Sequence, residues 1–354
     1  MTDLTFAYEA KQPLRVAFLG TSGHAYRNFL PSLAYAAVDL VAMWDPDPDR
    51  AESFARQFGA GDAYTDLDLL LRDVEPDAVL IGVDGYLDGD PLNTSLMARC
   101  LEAGCHVWTD KPVAASSASV EKLIDLRDRA GRVAAVGAKT MYNPAHLKAR
   151  QIMRGPDFGR PASFSGRYPL HVPRQPGLPL SDPQVRSCLN HIWHPVGAAL
   201  VTVGEVAAVS YVPAPVGNGG VAIVTFADGT VGTFHFSAGQ AATSPLERVE
   251  IVGEGSNIVI DNGARLTWYR RGDIGPYGRT PSYITDDETA PLRWEPEMSL
   301  GQLYNNNNFV QGYAQSIIAF VDAALGIAPL EFGTLEDAVS IVRVFEMLAE
   351  PATA

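Results

Sequence analysis

The stretch Leu14-Arg15-Val16-Ala17-Phe18-Leu19-Gly20-Thr21-Ser22-Gly23-His24-Ala25 decides the fold of this chain. Its first half is a continuous apolar run, which indicates a strand of a parallel sheet covered on both faces. Its second half follows the pattern G-x-G-x-x-G/A through Gly20, Ser22 and Ala25, with an additional Gly23. Glycine suits this pattern because the backbone turns tightly and approaches a pyrophosphate at a helix N-terminus. We therefore predict a strand, a dinucleotide-binding turn and a helix, with Ser22 as the departure from the strict pattern.

Apolar strand segments alternate with single helical segments through the first 142 residues. Further strands are predicted at 39–45, 77–83, 106–110 and 132–137. Strands that alternate with single helices imply right-handed crossovers and a parallel, doubly wound sheet. Residues 1–13 show no periodicity and are interpreted as an arm, so the first domain is predicted to span 1–142.

An acidic residue ends the second predicted strand. Asp45 follows Gly20 by 45 − 20 = 25 residues, near the roughly 20 expected for the acid that binds the adenosine ribose. Such an acid repels the 2′-phosphate of NADP and therefore favours NAD. Arg50 could still reach a 2′-phosphate, so NADP is not excluded. The alternative interpretation of Asp45 is an aspartate that only stabilises the turn. The candidate cofactor residues in this region are Gly20, Ser22, Gly23, His24, Ala25 and Asp45.

The segment His106-Val107-Trp108-Thr109-Asp110-Lys111-Pro112 is a short apolar strand that ends on an acid, a lysine and a proline. A residue before proline is held in extended geometry, so Lys111 is predicted to project from the carboxyl edge of the sheet. Open α/β folds bind their ligands at this edge. A lysine there can bind a substrate oxygen, and the alternative is an ordinary solvated lysine.

The pattern changes after Tyr142. Residues 162–187 are rich in Pro, Arg and Gly and are interpreted mainly as loop, whereas 221–226 and 230–236 flank Asp228-Gly229, a strong hairpin signal. Further strand signals form a meander, and helices are predicted at 309–325 and 334–348. We assign 143–354 to a second, α+β domain.

A second polar cluster is Asn190-His191-Ile192-Trp193-His194-Pro195. Proline is tolerated only in the first turn of a helix, which puts these side chains at a helix entrance. Residues four apart share a helix face, so Asn190 and His194 are predicted to present together. A histidine there suits acid–base chemistry. The spacing of His191 and His194, with His171, also allows a metal site. No cluster of acids or cysteines nearby completes a ligand set, so we predict no metal.

Composition limits the classes of partner. The formal net charge is −14, which disfavours nucleic acid and anionic membranes. The three cysteines do not form a disulfide framework, and no apolar run is long enough to span a bilayer. A cytoplasmic location is the simplest expectation.

Taken in order, Gly20-Thr21-Ser22-Gly23, Asp45, Asp110-Lys111-Pro112 and Asn190…His194 resemble the Gfo/Idh/MocA oxidoreductases, the glucose–fructose oxidoreductase and inositol dehydrogenase group. The family usually has Glu-Lys-Pro where this chain has Asp110-Lys111-Pro112. The family's aspartate is replaced by Asn190, and its second acid by Gly197. Its Thr-Pro-Asn loop is not matched at Val83-Asp84-Gly85.

The resemblance implies a Rossmann domain followed by a domain with an open, mostly antiparallel sheet. It implies NAD-dependent hydride transfer to or from a sugar, polyol or sugar derivative, and a homodimer or homotetramer. Lys111 and His194 match the family's catalytic lysine and histidine, with Asn190 beside them, and Asp110 and Lys111 join the cofactor set. Weaker candidates for sugar contacts are Trp193, Tyr142 and Arg167. The alternatives are a redox-neutral NAD-dependent glycosidase or epimerase, and a non-catalytic NAD-binding regulator.

Overall fold

The computed structural model describes residues 6–175, 177–241, 243, 245–272, 290–296 and 307–349. The chain forms two compact units. The first contains residues 1–142 and 307–343, and the second contains 143–306 and 344–354. The division after Tyr142 falls where the domain boundary is expected, but residues 307–343, expected in the second domain, pack in the first unit.

The first unit is built on a six-stranded parallel sheet. In chain order its strands are β1 (Leu14–Leu19), β2 (Val38–Trp44), β3 (Asp62–Tyr64), β4 (Ala78–Ile81), β7 (His106–Thr109) and β8 (Ala134–Val136). The spatial order is β3-β2-β1-β4-β7-β8, which is the doubly wound Rossmann arrangement. The order reverses between β1 and β4, so the crevice that holds ligands in such sheets lies beyond their carboxyl ends. A short hairpin, β5 (Tyr86–Leu87) and β6 (Asp90–Pro91), follows β4.

Helices connect these strands. They are α1 (Leu30–Ser32), α2 (Pro48–Phe58), α3 (Leu67–Val74), α4 (Leu92–Glu102) and α5 (Ser117–Ala130). The turn before α1, Ala25–Phe29, is a π-helix. Side-chain caps define the helix starts, since Asp47 accepts hydrogen bonds from the backbone N–H groups of Asp49 and Arg50 and Ser116 accepts from Ser119.

Residues 307–343 complete the core of the first unit. This part of the chain contains α9 (Asn307–Val310), α10 (Tyr313–Ala324) and the start of α11 (Leu335–Ala349), whose last residues, from Val344, belong to the second unit. Ile317 and Phe320 of α10 are fully buried in one cluster with Phe18, Phe29 and Trp108, and the indole Nε1 of Trp108 donates to the Ser316 hydroxyl at 3.1 Å. The apolar face of α10 therefore covers one side of the parallel sheet.

The second unit carries an eight-stranded sheet in the order β10-β11-β12-β9-β13-β14-β15-β16. The strands are β9 (Ser163–Tyr168), β10 (Val206–Pro213), β11 (Gly220–Phe226), β12 (Val231–Phe236), β13 (Arg248–Val252), β14 (Asn257–Asp261), β15 (Arg265–Tyr269) and β16 (Leu292–Trp294). All neighbours are antiparallel except β12 and β9. The predicted fold class is thus confirmed: a doubly wound parallel sheet and a mostly antiparallel one.

The interpretation of residues 162–187 as mainly loop was wrong. β9 lies in the middle of the sheet, and α7 (Pro183–His191) begins before the segment ends. Phe164 and Gly166 of β9 are buried, and Gly166 leaves room for the rings of Phe164 and Phe234, which would lie 3.0 and 3.1 Å from an added Cβ. The glycine that lowered the strand signal is needed for packing between aromatic rings.

The other helices of the second unit are α6 (Pro144–Met153) and α8 (Trp193–Thr202). They pack against one face of the sheet, α8 at β9 and α6 at β14 and β15. The other face is exposed and carries apolar side chains, including Ile223 and Val231 at 56% and 54% exposure. In the part of the chain that the structure describes, no helix is long and apolar enough to cross a bilayer.

Candidate functional site

The glycine loop has the geometry that its sequence predicts. Gly20 has a φ of +102°, and an added Cβ would lie 2.7 Å from the carbonyl oxygen of Gly82, so only glycine fits. Ser22, which departs from the pattern, has a structural role: its hydroxyl accepts from the Ala25 N–H at 3.1 Å and donates to Gly82 O at 3.2 Å. The loop thus replaces the middle glycine by a helix cap. Ala25 is fully buried at the start of the helix.

Asp45 follows β2 and lies beside this loop. Its carboxylate accepts hydrogen bonds from the backbone N–H and hydroxyl of Thr21, at 3.1 and 2.5 Å, and from the backbone N–H of Asp47. Arg50 donates to the Thr21 carbonyl at 2.7 Å. An acid and an arginine therefore lie together at the position where Rossmann domains bind the adenosine ribose.

The turn that carries Lys111 is held by a buried amide. Asn93 of α4 is 3% exposed, and its Nδ2 donates to the carbonyl oxygens of Asp110 and Pro112, each at 3.1 Å. The Lys111–Pro112 peptide bond is cis. Lys111 is half-buried at the carboxyl edge of the sheet, as predicted from the strand and the proline.

Asp110 is an unusual carboxylic acid. It is 8% exposed, and its Oδ1 has no hydrogen-bond donor among the described residues. Burial raises its pKa to about 6, although the Lys111 ammonium and backbone N–H act in the opposite direction. A carboxyl group of this kind binds and releases a proton near neutral pH, which is typical of functional sites.

Three further side chains join this end of the first unit. Lys139 follows β8. Its Nζ donates a hydrogen bond to the Gln311 side chain and lies 5.0 Å from the ring centroid of Tyr313. The ring of His24 lies 5.5 Å from the same Tyr313 ring. Burial and the charges of Lys111 and Lys139 lower the pKa of His24 to about 4, so its imidazole is neutral at pH 7.

The second polar cluster spans two consecutive helices rather than one. Asn190 lies in the last turn of α7, and His194 is the second residue of α8, with Ile192 between the helices. Pro195 lies in the first turn of α8, as expected. His194 and Asn190 are half-buried in the second unit, whereas Lys111 belongs to the first.

The aromatic neighbour of His194 is Tyr168. Their ring centroids are 5.6 Å apart, with 33° between the planes. Arg167, a weaker candidate for a sugar contact, lies opposite His235 and Arg248 on the exposed face of the sheet, and its role stays a prediction. Successive strand residues point to opposite faces, so the residue that faces the helices is Tyr168.

Tyr142 and Trp193 are core side chains. The Tyr142 hydroxyl donates to the Phe332 carbonyl at 2.5 Å, and the residue is 6% exposed. Its hydroxyl proton is thus already used within the first unit. Trp193 is 1% exposed. The role of these two residues as sugar contacts stays a prediction. Among the described residues, no group of three His, Cys, Asp or Glu side chains is arranged to hold a metal.

Comparison with known proteins identifies the first unit. Residues 14–138 match the Gfo/Idh/MocA family model, described as an oxidoreductase family with an NAD-binding Rossmann fold. Over residues 14–138 the chain is a member of the Gfo/Idh/MocA family. The resemblance drawn from the motifs of this chain is thereby confirmed, and the cofactor class of the family is NAD.

Two relatives of this chain are named as oxidoreductases or reductases. An uncharacterized oxidoreductase of Rhizobium meliloti is 36% identical over 156 residues, 44% of this chain and 45% of the relative. A dTDP-3,4-didehydro-2,6-dideoxy-α-D-glucose 3-reductase of Saccharopolyspora spinosa is 26% identical over 196 residues, 55% of this chain and 54% of the relative. The chain thus spans about half the length of these curated relatives.

A solved dehydrogenase structure from Chromobacterium violaceum superposes with a TM-score of 0.77 at 21% identity. The match covers 95% of this chain and 94% of that one. At this identity the likeness shows that the two chains share a fold over nearly their whole length, and it carries no information on substrate.

Within each unit, sequence reasoning missed side chains that lie beside the predicted site residues. Asn93, Lys139 and Tyr313 are distant in sequence from the motifs that they contact, and no local pattern identified them. Tyr168 had a signal, since it is one residue from the predicted Arg167 and the alternation of a strand would have chosen between them.

Proposed function

We propose that this protein is an NAD-dependent oxidoreductase that transfers a hydride between the nicotinamide and a hydroxyl or keto carbon of a sugar, polyol or sugar derivative. The observation that carries the proposal is the Lys111 turn: a lysine beside a buried carboxyl group with an unpartnered oxygen, at the carboxyl edge of a Rossmann sheet. The match of residues 14–138 to an NAD-binding oxidoreductase family supports it. The 3-reductase relative acts on a dTDP-linked sugar by its name, which supports the substrate class.

The residues of the first unit fit a dinucleotide. The glycine loop turns tightly at Gly20, where a Cβ would collide with the backbone of Gly82. The helix that follows begins with backbone N–H groups suited to a pyrophosphate. Asp45 offers a carboxylate that can accept hydrogen bonds from the ribose hydroxyls. When bound, NAD supplies the hydride acceptor in oxidation. Arg50, which is anchored on the Thr21 carbonyl, leaves NADP as a second possible cofactor.

We assign separate roles to the chain's own side chains. The Lys111 ammonium stabilises the negative charge that develops on the substrate oxygen during hydride transfer. His194 accepts the hydroxyl proton in oxidation and returns it in reduction. Asn190 is a neutral hydrogen-bonding group for the substrate and, unlike the family aspartate, adds no charge next to the histidine. The imidazole of His194 packs beside the Tyr168 ring, which restricts the positions that the imidazole can take.

The test is turnover of the Lys111→Met variant with a panel of sugars, polyols and glycosides, measured by NADH fluorescence. Lys122→Met is the matched control, because Lys122 is exposed on α5 of the same unit. We expect turnover to fall by about 10³-fold or more in Lys111→Met and to stay unchanged in the control, with NAD binding kept in both. Unchanged turnover of Lys111→Met would exclude the assigned role, and absence of NAD binding by the wild type would exclude the function.

We also propose a cytoplasmic homo-oligomer, a dimer or a tetramer. All three cysteines, Cys100, Cys105 and Cys188, are free and buried, which agrees with a reducing compartment. The exposed apolar residues on the open face of the second sheet, among them Val221, Ile223 and Val231, support burial against a second copy. Light scattering measures the mass directly, and a monomer at micromolar concentration would contradict the oligomer. Cell fractionation tests the location.

A further inference from the structure

Three polar side chains connect the returning end of the chain to the glycine loop. Asn307 Nδ2 donates to Asn28 Oδ1 at 3.2 Å, and Asn28 Nδ2 lies 3.3 Å from Nδ1 of His24. His24 directly follows Gly23, and its ring is edge-on to Phe29 at 4.8 Å and to Tyr313 at 5.5 Å. Asn28 is 7% exposed. We call this connection the asparagine relay, defined by Asn307, Asn28 and His24.

The relay determines where the imidazole carries its proton. Asn28 Oδ1 accepts from Asn307, so the NH₂ group of the same amide faces His24. An NH₂ group only donates, and Nδ1 of His24 must therefore present its lone pair. A neutral imidazole has one N–H, which is then on Nε2.

The surroundings keep this imidazole neutral. Burial is the largest cause of its lowered pKa, and two lysines add to it. The charged or titratable groups that face the ring from the packed elements are Lys111, Lys139, Asp84, Arg27 and Tyr313. At neutral pH the His24 ring can therefore donate a hydrogen bond at Nε2 and nowhere else.

We propose that Asn28 and Asn307 are positioning residues that hold His24 in the Nε2–H form, so that His24 donates a hydrogen bond to a pyrophosphate oxygen of the bound dinucleotide. This inference depends on the proposed cofactor binding. The pyrophosphate is the acceptor because His24 lies at the helix start immediately after the glycine loop, where such phosphates bind. Segment 307–313 thereby becomes part of the cofactor site, although it is about 280 residues from the loop in sequence (307 − 28 = 279).

The first test uses the Asn28→Asp variant. A carboxylate only accepts, so it draws a proton onto Nδ1 and raises the pKa of His24. Below that pKa the ring still donates at Nε2, whereas above it Nε2 presents a lone pair to the phosphate. We therefore expect the ratio of variant to wild-type Kd for NAD to rise at least tenfold between pH 5.5 and 8.5. Asn262→Asp is the control, since it adds the same charge where Oδ1 already accepts from Glu247 N–H, and its ratio should not change with pH.

ADP-ribose, which has the pyrophosphate but no nicotinamide, distinguishes the acceptor. The same rise in the Kd ratio for ADP-ribose supports the pyrophosphate, and a rise for NAD alone overturns that assignment. A Kd ratio for Asn28→Asp that is raised equally at every pH indicates a purely structural role and overturns the relay.

The second test needs no cofactor. In ¹⁵N spectra of the protein without ligand, His24, assigned by loss of its signals in His24→Gln, should show a protonated Nε2 and an unprotonated Nδ1 at pH 7. Asn307→Asp is an exposed substitution whose carboxylate turns the Asn28 amide around, so the proton should move to Nδ1. A wild-type ring protonated at Nδ1, or no change in Asn307→Asp, overturns the relay. If the wild type fails to bind NAD while these spectra are as expected, the proposed function fails and the relay stands.

Discussion

Replacement of Asp110 by Asn should stabilise the protein, and by an amount that depends on pH. The folded environment raises the pKa of Asp110 from its ordinary 3.8 to about 6, through burial that outweighs the opposing Lys111 charge. A carboxyl group whose pKa is raised on folding binds its proton more tightly in the folded state. The cost to stability is therefore absent well below pH 3.8 and grows as the pH rises through 3.8 towards 6. Asparagine has nearly the same size and no charge, so the variant lacks this destabilising contribution.

The magnitude follows from the two pKa values. Their difference, at about 1.4 kcal/mol per pH unit, gives about 3 kcal/mol at pH 8, and the same linkage relation gives about 0.6 kcal/mol at pH 4. Both are upper bounds, since the unpartnered Oδ1 is replaced by another polar atom. The gain in Asp110→Asn should therefore be about 2 kcal/mol larger at pH 8 than at pH 4.

Urea titrations at the two pH values measure the difference in the free energy of unfolding between Asp110→Asn and the wild type. Asp125→Asn is the control, because Asp125 is exposed on α5 and the expected change is within about 0.5 kcal/mol. A variant that is destabilised at pH 8, or equally stabilised at both pH values, would refute the reasoning. The result would also show that this site holds a carboxyl group at the expense of stability, as functional sites often do.

Three other substitutions test the site. Gly20→Ala should lower the free energy of unfolding by about 3 kcal/mol or more in thermal and urea melts, because the positive φ and the Gly82 carbonyl both oppose a Cβ. Gly23→Ala is the control, because an added Cβ at Gly23 has no atom within 4 Å. Asp45→Asn should shift the ratio of NADP to NAD affinity towards NADP by about tenfold in fluorescence titrations, since it removes the charge that repels a 2′-phosphate; an unchanged ratio would contradict the ribose role. Tyr168→Ala should lower kcat by about tenfold and leave the NAD Kd unchanged, because it releases the His194 ring; equal loss of both would point to unfolding instead.

The sequence by itself determined the features that depend on neighbours along the chain. Apolar runs and single intervening helices predicted the parallel sheet, because strand and helix periodicity are local properties. The glycine loop and the strand-acid-lysine-proline segment predicted which residues lie at the carboxyl edge, because that edge follows from strand direction alone. The family resemblance came from the same segments and is confirmed by the match over residues 14–138.

Only the tertiary structure decided which distant side chains complete the site and which strand face a residue occupies. The burial that shifts Asp110 comes from the packing of the whole first unit, and Asn307 reaches Asn28 only because residues 307–343 return to that unit. A strand has a side-chain period of two, and only the structure placed Arg167 on the exposed face of β9 and Tyr168 on the face towards the helices. Contacts of this kind carry no local signature, because the free energy that selects them belongs to the folded core as a whole.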